Sequence, residues 1–363
     1  MTTSLPAIAK SRIVFLDWLR IAAFVSVLVW HKFAAPLQWL GTSPDVHASL
    51  RELVLLILPF FQMGAAGVVV FFLVSGYIIT HVLLRETGLT FLIRRFFRIY
   101  PLYVIAVLIQ TTGDVWVHGE HVNFLNLLLS VSLCGDLFQM PYTLGGVEWT
   151  LRVEVLFYVF MVVLKFCGLI DGRHARWLPL VLAITAFGLL VMPPTPGGAW
   201  TWCIAYYNLF GPFLLLGAFF YLHENGRLGS GSLAAITALV LLGIWIVTPI
   251  WQPNLAGQHF VAYGFGIFFL FWLVRQRLSL PAPAALLSEL TYAVYLFHNW
   301  MYDYLLGASR ELFRKEWAAD LAALCLLLFV CWIATRFVER PAVRLGARLS
   351  RRFQPAVPAR VEA

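Results

Sequence analysis

Charge is what this sequence has least of. Asp, Glu, Lys and Arg make up 12% of the 363 residues, against 61% hydrophobic residues; a soluble domain is about a quarter charged and half apolar. That shortage of polar surface excludes a soluble globular chain. Cysteine is sparse as well. Cys134, Cys167, Cys203, Cys325 and Cys331 are scattered, mostly inside apolar runs, and none forms a CxxC pair. Neither a zinc site nor a disulfide framework follows from them, and no other metal-ligand cluster is visible. The sequence has no P-loop, no HExxH, no GxSxG and no dinucleotide fingerprint. It also lacks internal repeats, low-complexity tracts and any polar stretch long enough for a soluble domain. The first apolar segment is too long for a signal-peptide core and has no small-residue cleavage site, so it is expected to stay as a helix.

Apolar runs are what the sequence has in abundance. Eleven can be marked: 13–34, 64–84, 99–115, 121–136, 149–169, 177–193, 202–222, 231–251, 258–274, 285–307 and 317–337. Runs of about 17 to 25 residues suit helices that cross a bilayer, which predicts an all-α polytopic membrane protein. Charge placement decides how many cross. The formal net charge of +8 gathers in short loops and in "ERPAVRLGARLSRRFQPAVPAR", Glu339 to Arg360. This is the pattern of cytoplasmic loops rather than of a nucleic-acid face. If 121–136 crossed, loops 194–201 and 252–257 would fall inside without one Lys or Arg, and the basic tail would fall outside. If it does not cross, "LIRRFFR", "DGRHAR", "HENGR", "RQR" and the tail all lie inside. The count is therefore about ten transmembrane helices, with both termini cytoplasmic. One loop resists: "SRELFRKE", Ser309 to Glu316, lies outside with three basic residues. The stretch 50–62, "LRELVLLILPFFQ", is short for a span and is expected at the outer interface or folded back into the bundle.

Ionisable residues inside spans are costly and face a bundle interior or a water-filled cavity. Here they are Asp17, Arg20, His31, Arg152, Glu154, His298 and Asp303. Arg20 and His31 bracket "RIAAFVSVLVWH"; eleven residues on a helix return to within about 20° of one face, about 16 Å apart. Asp17, three residues earlier, is placed to pair with Arg20. A plainer reading stands beside this one: Arg20 snorkels to the interface and His31 bonds to a loop. Arg95 and Arg98 are i, i+3 neighbours suited to phosphate oxygens, and equally to topology control by positive charge. In "VEWTLRVEVLFY", Trp149 and Tyr158 read as interface anchors. Glu154 needs a partner from another helix, because Arg152 is only two residues away and faces elsewhere. His298 and Asp303 are five residues apart, so on an uninterrupted helix they form no dyad. His298 also reads as a buried histidine satisfied by its neighbours.

Taken in order, six stretches resemble the acyltransferase-3 family of integral membrane O-acyltransferases. They are "FLDWLRIAAFVSVLVWH" with R-x10-H, "GVVVFFLVSGYIITHVL", "FLIRRFFRIYPLY" with R-x-x-R, "EWTLRVEVLFY", "LTYAVYLFHNW" and "VERP". Together they span residues 15 to 341. The resemblance implies ten helices in this domain and transfer of an acyl group, usually acetyl, from cytoplasmic acyl-CoA to a hydroxyl. The acceptor it implies is a surface or exported glycan, lipid-linked oligosaccharides included. In the family the residue matching His31 is catalytic, and those matching Arg20, Arg95 and Arg98 belong to the donor or to the integrity of its site. Glu154 is taken with His31 as catalytic: it matches the first acidic residue of a family stretch from which this chain departs, with Val155 and Leu156 in place of a second Glu and a Gln. Asp17, Ser75 and His298 are taken as supporting residues.

The expected organisation is a cytoplasmic tail over 1–12, the acyltransferase domain over 13–341 and a basic cytoplasmic tail over 342–363. No second, esterase-like domain is expected. The expected partners are acyl-CoA as donor substrate, a glycan acceptor and membrane lipids, with no metal and no nucleic acid, in a bacterial cytoplasmic membrane. A histidine suits activation of a sugar hydroxyl as a general base; a covalent acyl-histidine is the other route. An acceptor that is a lipid or small secondary metabolite is the nearer alternative, and a transporter or flippase the more distant one.

Overall fold

The computed structural model describes residues 12–119, 121–138, 143–192, 200–255 and 259–353. Residues 1–11 and 354–363 of the two expected tails, 194–199 of one loop and 256–257 of another lie outside the described residues. Within them the chain is helical, without a strand. The helices are α1 (Val14–Thr42), α2 (Ala48–Phe61), α3 (Ala65–Leu83), α4 (Gly88–His118), α5 (Phe124–Val131), α6 (Glu148–Phe166) and α7 (Leu178–Val191). There follow α8 (Trp200–Glu224), α9 (Ser230–Trp251), α10 (Phe260–Leu273), α11 (Ala282–Phe297), α12 (Trp300–Leu312), α13 (Glu316–Ala334) and α14 (Arg340–Ser350). Four stretches, Val14–Thr42, Ala48–Leu83, Ser230–Trp251 and Glu316–Phe353, are long and apolar enough by themselves to cross a membrane. The chain is an all-α polytopic membrane protein.

Polar contacts sort the helix ends into two sets. At one end Lys165 reaches Asp171 at 2.6 Å and the Leu83 carbonyl at 2.5 Å. Arg227 donates to the Ile170 carbonyl at 2.7 Å, and Arg275 stands 3.3 Å from Glu224. Arg94 donates to Ser350 at 2.9 Å, and Arg12 to the Ala285 carbonyl at 3.1 Å. The loops "DGRHAR", "HENGR", "RQR" and the α14 tail thus meet at the end where α1 and α4 begin. At the other end the Tyr263 hydroxyl donates to the Leu56 carbonyl at 2.7 Å, and Asn208 to the Met192 carbonyl at 2.7 Å. Lys32 holds Asp303 at 2.8 Å there. Helices α1, α3, α4, α6–α11 and α13 run between the two ends.

Segment 121–136 does not cross. Its helix, α5, has eight residues, about 12 Å of rise against a hydrocarbon core of about 30 Å. Asn123 caps it by accepting from the Leu125 amide at 2.9 Å. Segment 50–62 becomes α2, a 14-residue helix that leaves Leu50, Leu53, Leu56 and Ile57 exposed. The chain then reverses through Met63 and Gly64, both at positive φ (54° and 65°), and returns as α3. Segment 285–307, expected as one span, is broken: α11 ends at Phe297 and α12 starts at Trp300. No Pro or Gly marks that break.

The densest helix contact is between α3 and α8. A Cβ on Gly76 would collide with the Leu214 carbonyl, and one on Gly217 with the Leu73 carbonyl. Small residues let helix backbones approach inside a membrane, where lipid is as apolar as Leu and packing supplies the attraction. Ser75, beside Gly76, is fixed by this contact. At the far end of the chain, residues 335–339 form a π turn between α13 and α14. Pro341 supplies no amide to the Phe337 carbonyl and its ring crowds it, which widens the turn.

Candidate active site

Two cavities among the described residues border the Arg20–His31 stretch of α1. The first, about 110 Å³, is lined by Arg20, Ser75, Arg95, Arg98, Glu154, Tyr158, Tyr292 and apolar neighbours. The second, about 280 Å³, is lined by His31, Gly145, Gly146, Trp149, Tyr206, Gln252 and others. Val27, Val68, Thr150 and Tyr295 border both cavities, so a single layer of side chains separates the arginines from the histidine. The helix is unbroken from Arg20 to His31; its first non-helical residue is Phe33, φ −128°. The two therefore keep the rise of about 16 Å given by eleven helical steps.

The arginine cavity is assembled from five helices, α1, α3, α4, α6 and α11. On α1, buried Asp17 accepts from Arg20 at 3.3 Å, from Arg12 at 2.6 Å and from Ser288 of α11 at 2.6 Å. A carboxylate with three donors is well satisfied, and it anchors Arg20 rather than leaving it to snorkel. Buried Glu154 of α6 accepts from Ser75 of α3 at 2.6 Å and bonds to Tyr158. Its partner does come from another helix. Arg152, as its position on α6 requires, faces away and donates to the Leu133 carbonyl at 2.7 Å.

Arg95 and Arg98 share the cavity wall but are held differently. Arg98 is ion-paired with Glu339, a residue with 2% exposure in the π turn, and lies over the Tyr292 ring at 5.9 Å. Arg95 lies over the Phe91 and Tyr158 rings at 5.2 and 5.9 Å. Its buried Nε has no hydrogen-bond partner among the described residues. A buried guanidinium N–H left unmatched is costly, and an incoming anion would relieve that cost. The equal pair suggested by R-x-x-R is thus one arginine neutralised by protein and one with a donor to spare.

Two residues read as interface anchors are not placed so. Tyr158 is buried against Glu154 and lines the arginine cavity; Trp149 stacks on Tyr206 at 4.2 Å and lines the histidine cavity. Glu339, Tyr292 and Tyr295 received no role from the sequence. Glu339 lies 241 residues from Arg98, a pairing that no local spacing reveals; the R-P dipeptide after it was the one available signal.

His31 is exposed to its cavity. The His298 ring stands 5.3 Å from it, centroid to centroid. Asp303 turns to Lys32 instead of His298, so the H-x4-D spacing forms no dyad even across the helix break. On the opposite wall Gly145 has φ +66°. A Cβ there would stand 2.5 Å from the Asn299 amide nitrogen, which donates to the Gly145 carbonyl at 2.7 Å. Only glycine fits both demands. Among the described residues no group of His, Cys, Asp or Glu has the arrangement of a metal site.

The acyltransferase domain model of the acyltransferase-3 family matches residues 13–336. The chain belongs to the acyltransferase-3 family. Among its relatives is "Nodulation protein 10" of Rhizobium leguminosarum bv. viciae, 26% identical over 326 residues, covering 79% of this chain and 84% of that protein. Another is "Putative acetyltransferase ORF330" of Acidianus two-tailed virus, 24% identical over 272 residues, covering 70% of this chain and 78% of that protein. No solved structure matches the chain. Acyl transfer is the activity of the acyltransferase-3 family, and this acyltransferase encloses its arginine and histidine cavities entirely within the matched residues, Glu339 of the π turn standing just beyond them.

Proposed function

We propose that this acyltransferase moves an acyl group, acetyl in the first instance, from cytoplasmic acyl-CoA to a hydroxyl of a surface or exported glycan, working in a bacterial cytoplasmic membrane. The observation that carries the reading is the pair of abutting cavities: cationic on the side of the basic loops, His31 on the other, with one layer of side chains between. Arg95, with its spare donor, and Arg20 meet the donor's phosphates or its thioester end, while Arg98 stays committed to Glu339. The acyl-bearing arm of the donor extends along α1, past Val27 and Thr150, to reach His31. Its reach must match the roughly 16 Å rise from Arg20 to His31.

His31 acts as general base. It takes the proton from the acceptor hydroxyl as that oxygen bonds to the thioester carbonyl carbon. Collapse breaks the carbon–sulfur bond, and the thiolate leaves with the proton that His31 returns. Holding both substrates at one histidine converts a bimolecular reaction into one between bound partners, which lowers the entropic part of the barrier. Glu154, tied to Ser75 and Tyr158, holds the wall around the arginines in shape.

The test is incubation of the purified protein with acetyl-CoA, succinyl-CoA and candidate glycan acceptors, with mass spectrometry to locate a new ester. Ester formation together with free thiol release supports the reading. Substrate flux across vesicles with no acyl-CoA consumed would replace it with a flippase.

A further inference from the structure

His298 sits where α11 breaks. Its Nδ1 is 2.8 Å from the Tyr295 carbonyl oxygen, an atom that only accepts, so Nδ1 carries the ring proton. In the neutral imidazole Nε2 is then left with a lone pair and no hydrogen. Nε2 is buried without a hydrogen-bond partner among the described residues, and the whole residue is 1% exposed. The His31 ring is beside it, tilted by 54° at 5.3 Å. Three other features hold His298 at this place. Asn299, its neighbour, is tied to the Gly145 carbonyl at 2.7 Å. Tyr295, whose carbonyl orients the ring, has its own hydroxyl bonded to the Val147 carbonyl at 3.0 Å. The break between α11 and α12 turns the following helix away, so that Asp303 reaches Lys32 and no carboxylate occupies the space beside Nε2.

We infer that His298 is the positioning partner of His31: when the His31 ring turns toward it from its present tilt, the unpartnered Nε2 accepts a hydrogen bond from one ring nitrogen of His31 and so leaves the other nitrogen unprotonated toward the acceptor hydroxyl. This rests on the reading of His31 as the base. The proton balance is simple. The hydroxyl proton goes to the free nitrogen of His31, the resulting imidazolium keeps its second N–H on His298 Nε2, and the hydroxyl proton then passes to the departing thiolate. His298 neither gains nor loses a proton. A neutral acceptor does here what a carboxylate does beside histidine in hydrolytic triads: it selects the tautomer and the ring orientation.

Two substitutions separate positioning from packing. In His298→Asn the amide nitrogen takes the place of Nδ1 and keeps the bond to the Tyr295 carbonyl, but nothing stands at Nε2. In His298→Gln the side-chain carbonyl places an acceptor near the Nε2 position. With acetyl-CoA and an accepted glycan, the Asn variant is expected to lose roughly tenfold to a hundredfold in kcat, the size of one hydrogen bond to a charged group. Both KM values are expected to stay within about twofold. The Gln variant is expected to recover most of the kcat. A wild-type kcat in the Asn variant would overturn the inference, and so would equal losses in both variants. Should the Asn variant fail to fold, His298→Met, which has the size of Gln without its carbonyl, takes its place: a kcat loss of about tenfold or more in Met with most of it recovered in Gln supports the pairing, and equal kcat in Met and Gln contradicts it. A wild-type protein that transfers nothing overturns the functional reading and the pairing with it; an active wild type with an indifferent His298 overturns the pairing alone.

Discussion

At the scale of single residues, the arginine cavity distinguishes side chains that bind from side chains that hold. Arg95 has a spare donor, so Arg95→Ala is expected to weaken acyl-CoA binding by roughly tenfold to a hundredfold. Turnover at saturating donor should change much less. Equilibrium binding of acyl-CoA alongside kcat checks this, and an unchanged donor affinity would remove Arg95 from the donor site. Ser75 belongs to the second kind. Ser75→Ala strips one of two hydrogen bonds from buried Glu154, which costs about 1–3 kcal/mol. A lowered thermal midpoint with donor affinity intact is the expected result. Asp17 gathers three donors around one carboxylate, and the sequence predicted only its bond to Arg20. The i, i+3 spacing made that bond legible, whereas the bonds from Arg12 and Ser288 depend on the chain end folding back and on α11 lying alongside α1.

At the scale of elements, helices with strong internal signals were readable and their interruptions were not. The R-x10-H helix, the R-x-x-R helix and the failure of 121–136 to cross all follow from apolar length and charge placement, both local quantities. The break after Phe297 carries no Pro or Gly, and Asn299, which precedes α12, makes no side-chain capping bond to it. It is held by tertiary contacts, the Asn299–Gly145 bond above all, so a sequence pattern had nothing to show. The convergence of Arg20, Arg95, Arg98 and Glu154 on one cavity is likewise a matter of helix packing; the family resemblance grouped them, and spacing did not. Two element-scale outcomes can be measured. Gly76→Ala drives a Cβ into the Leu214 backbone, which no rotamer relieves. A loss of about 1–3 kcal/mol is expected, seen as a drop in thermal midpoint or in yield of folded protein. Val68→Trp thickens the layer between the cavities. It should leave acyl-CoA bound but cut turnover roughly tenfold or more, since transfer fails when the reacting atoms are held apart.

At the scale of the whole molecule, the basic loops gather at one end and His31 opens toward the other. The positive-inside rule makes the basic end cytoplasmic. Cys167, exposed where α6 ends beside Lys165, is therefore expected to resist a membrane-impermeant thiol reagent in intact cells. It should react once the cytoplasmic face is opened. Cys331, buried in α13, should react in neither case. Labelling of Cys167 in intact cells would invert the orientation. The loop around Arg310 remains the exception to the rule, though Arg310 is matched by Glu316 at 3.0 Å. Under the proposed function, orientation matters because an acyl-CoA donor would have to meet the cationic cavity from the cytoplasmic side and an exported acceptor the histidine from the other.

The central claim is that His31 performs the transfer while the arginines hold the donor. Its most direct test is His31→Ala, purified in parallel with the wild type and assayed for acyl-CoA binding and for ester formed on the acceptor. The account predicts donor affinity within about twofold of wild type and ester formation reduced by roughly a hundredfold to ten-thousandfold, the range for loss of a general base. A His31→Ala protein that makes the ester at the wild-type rate would contradict it.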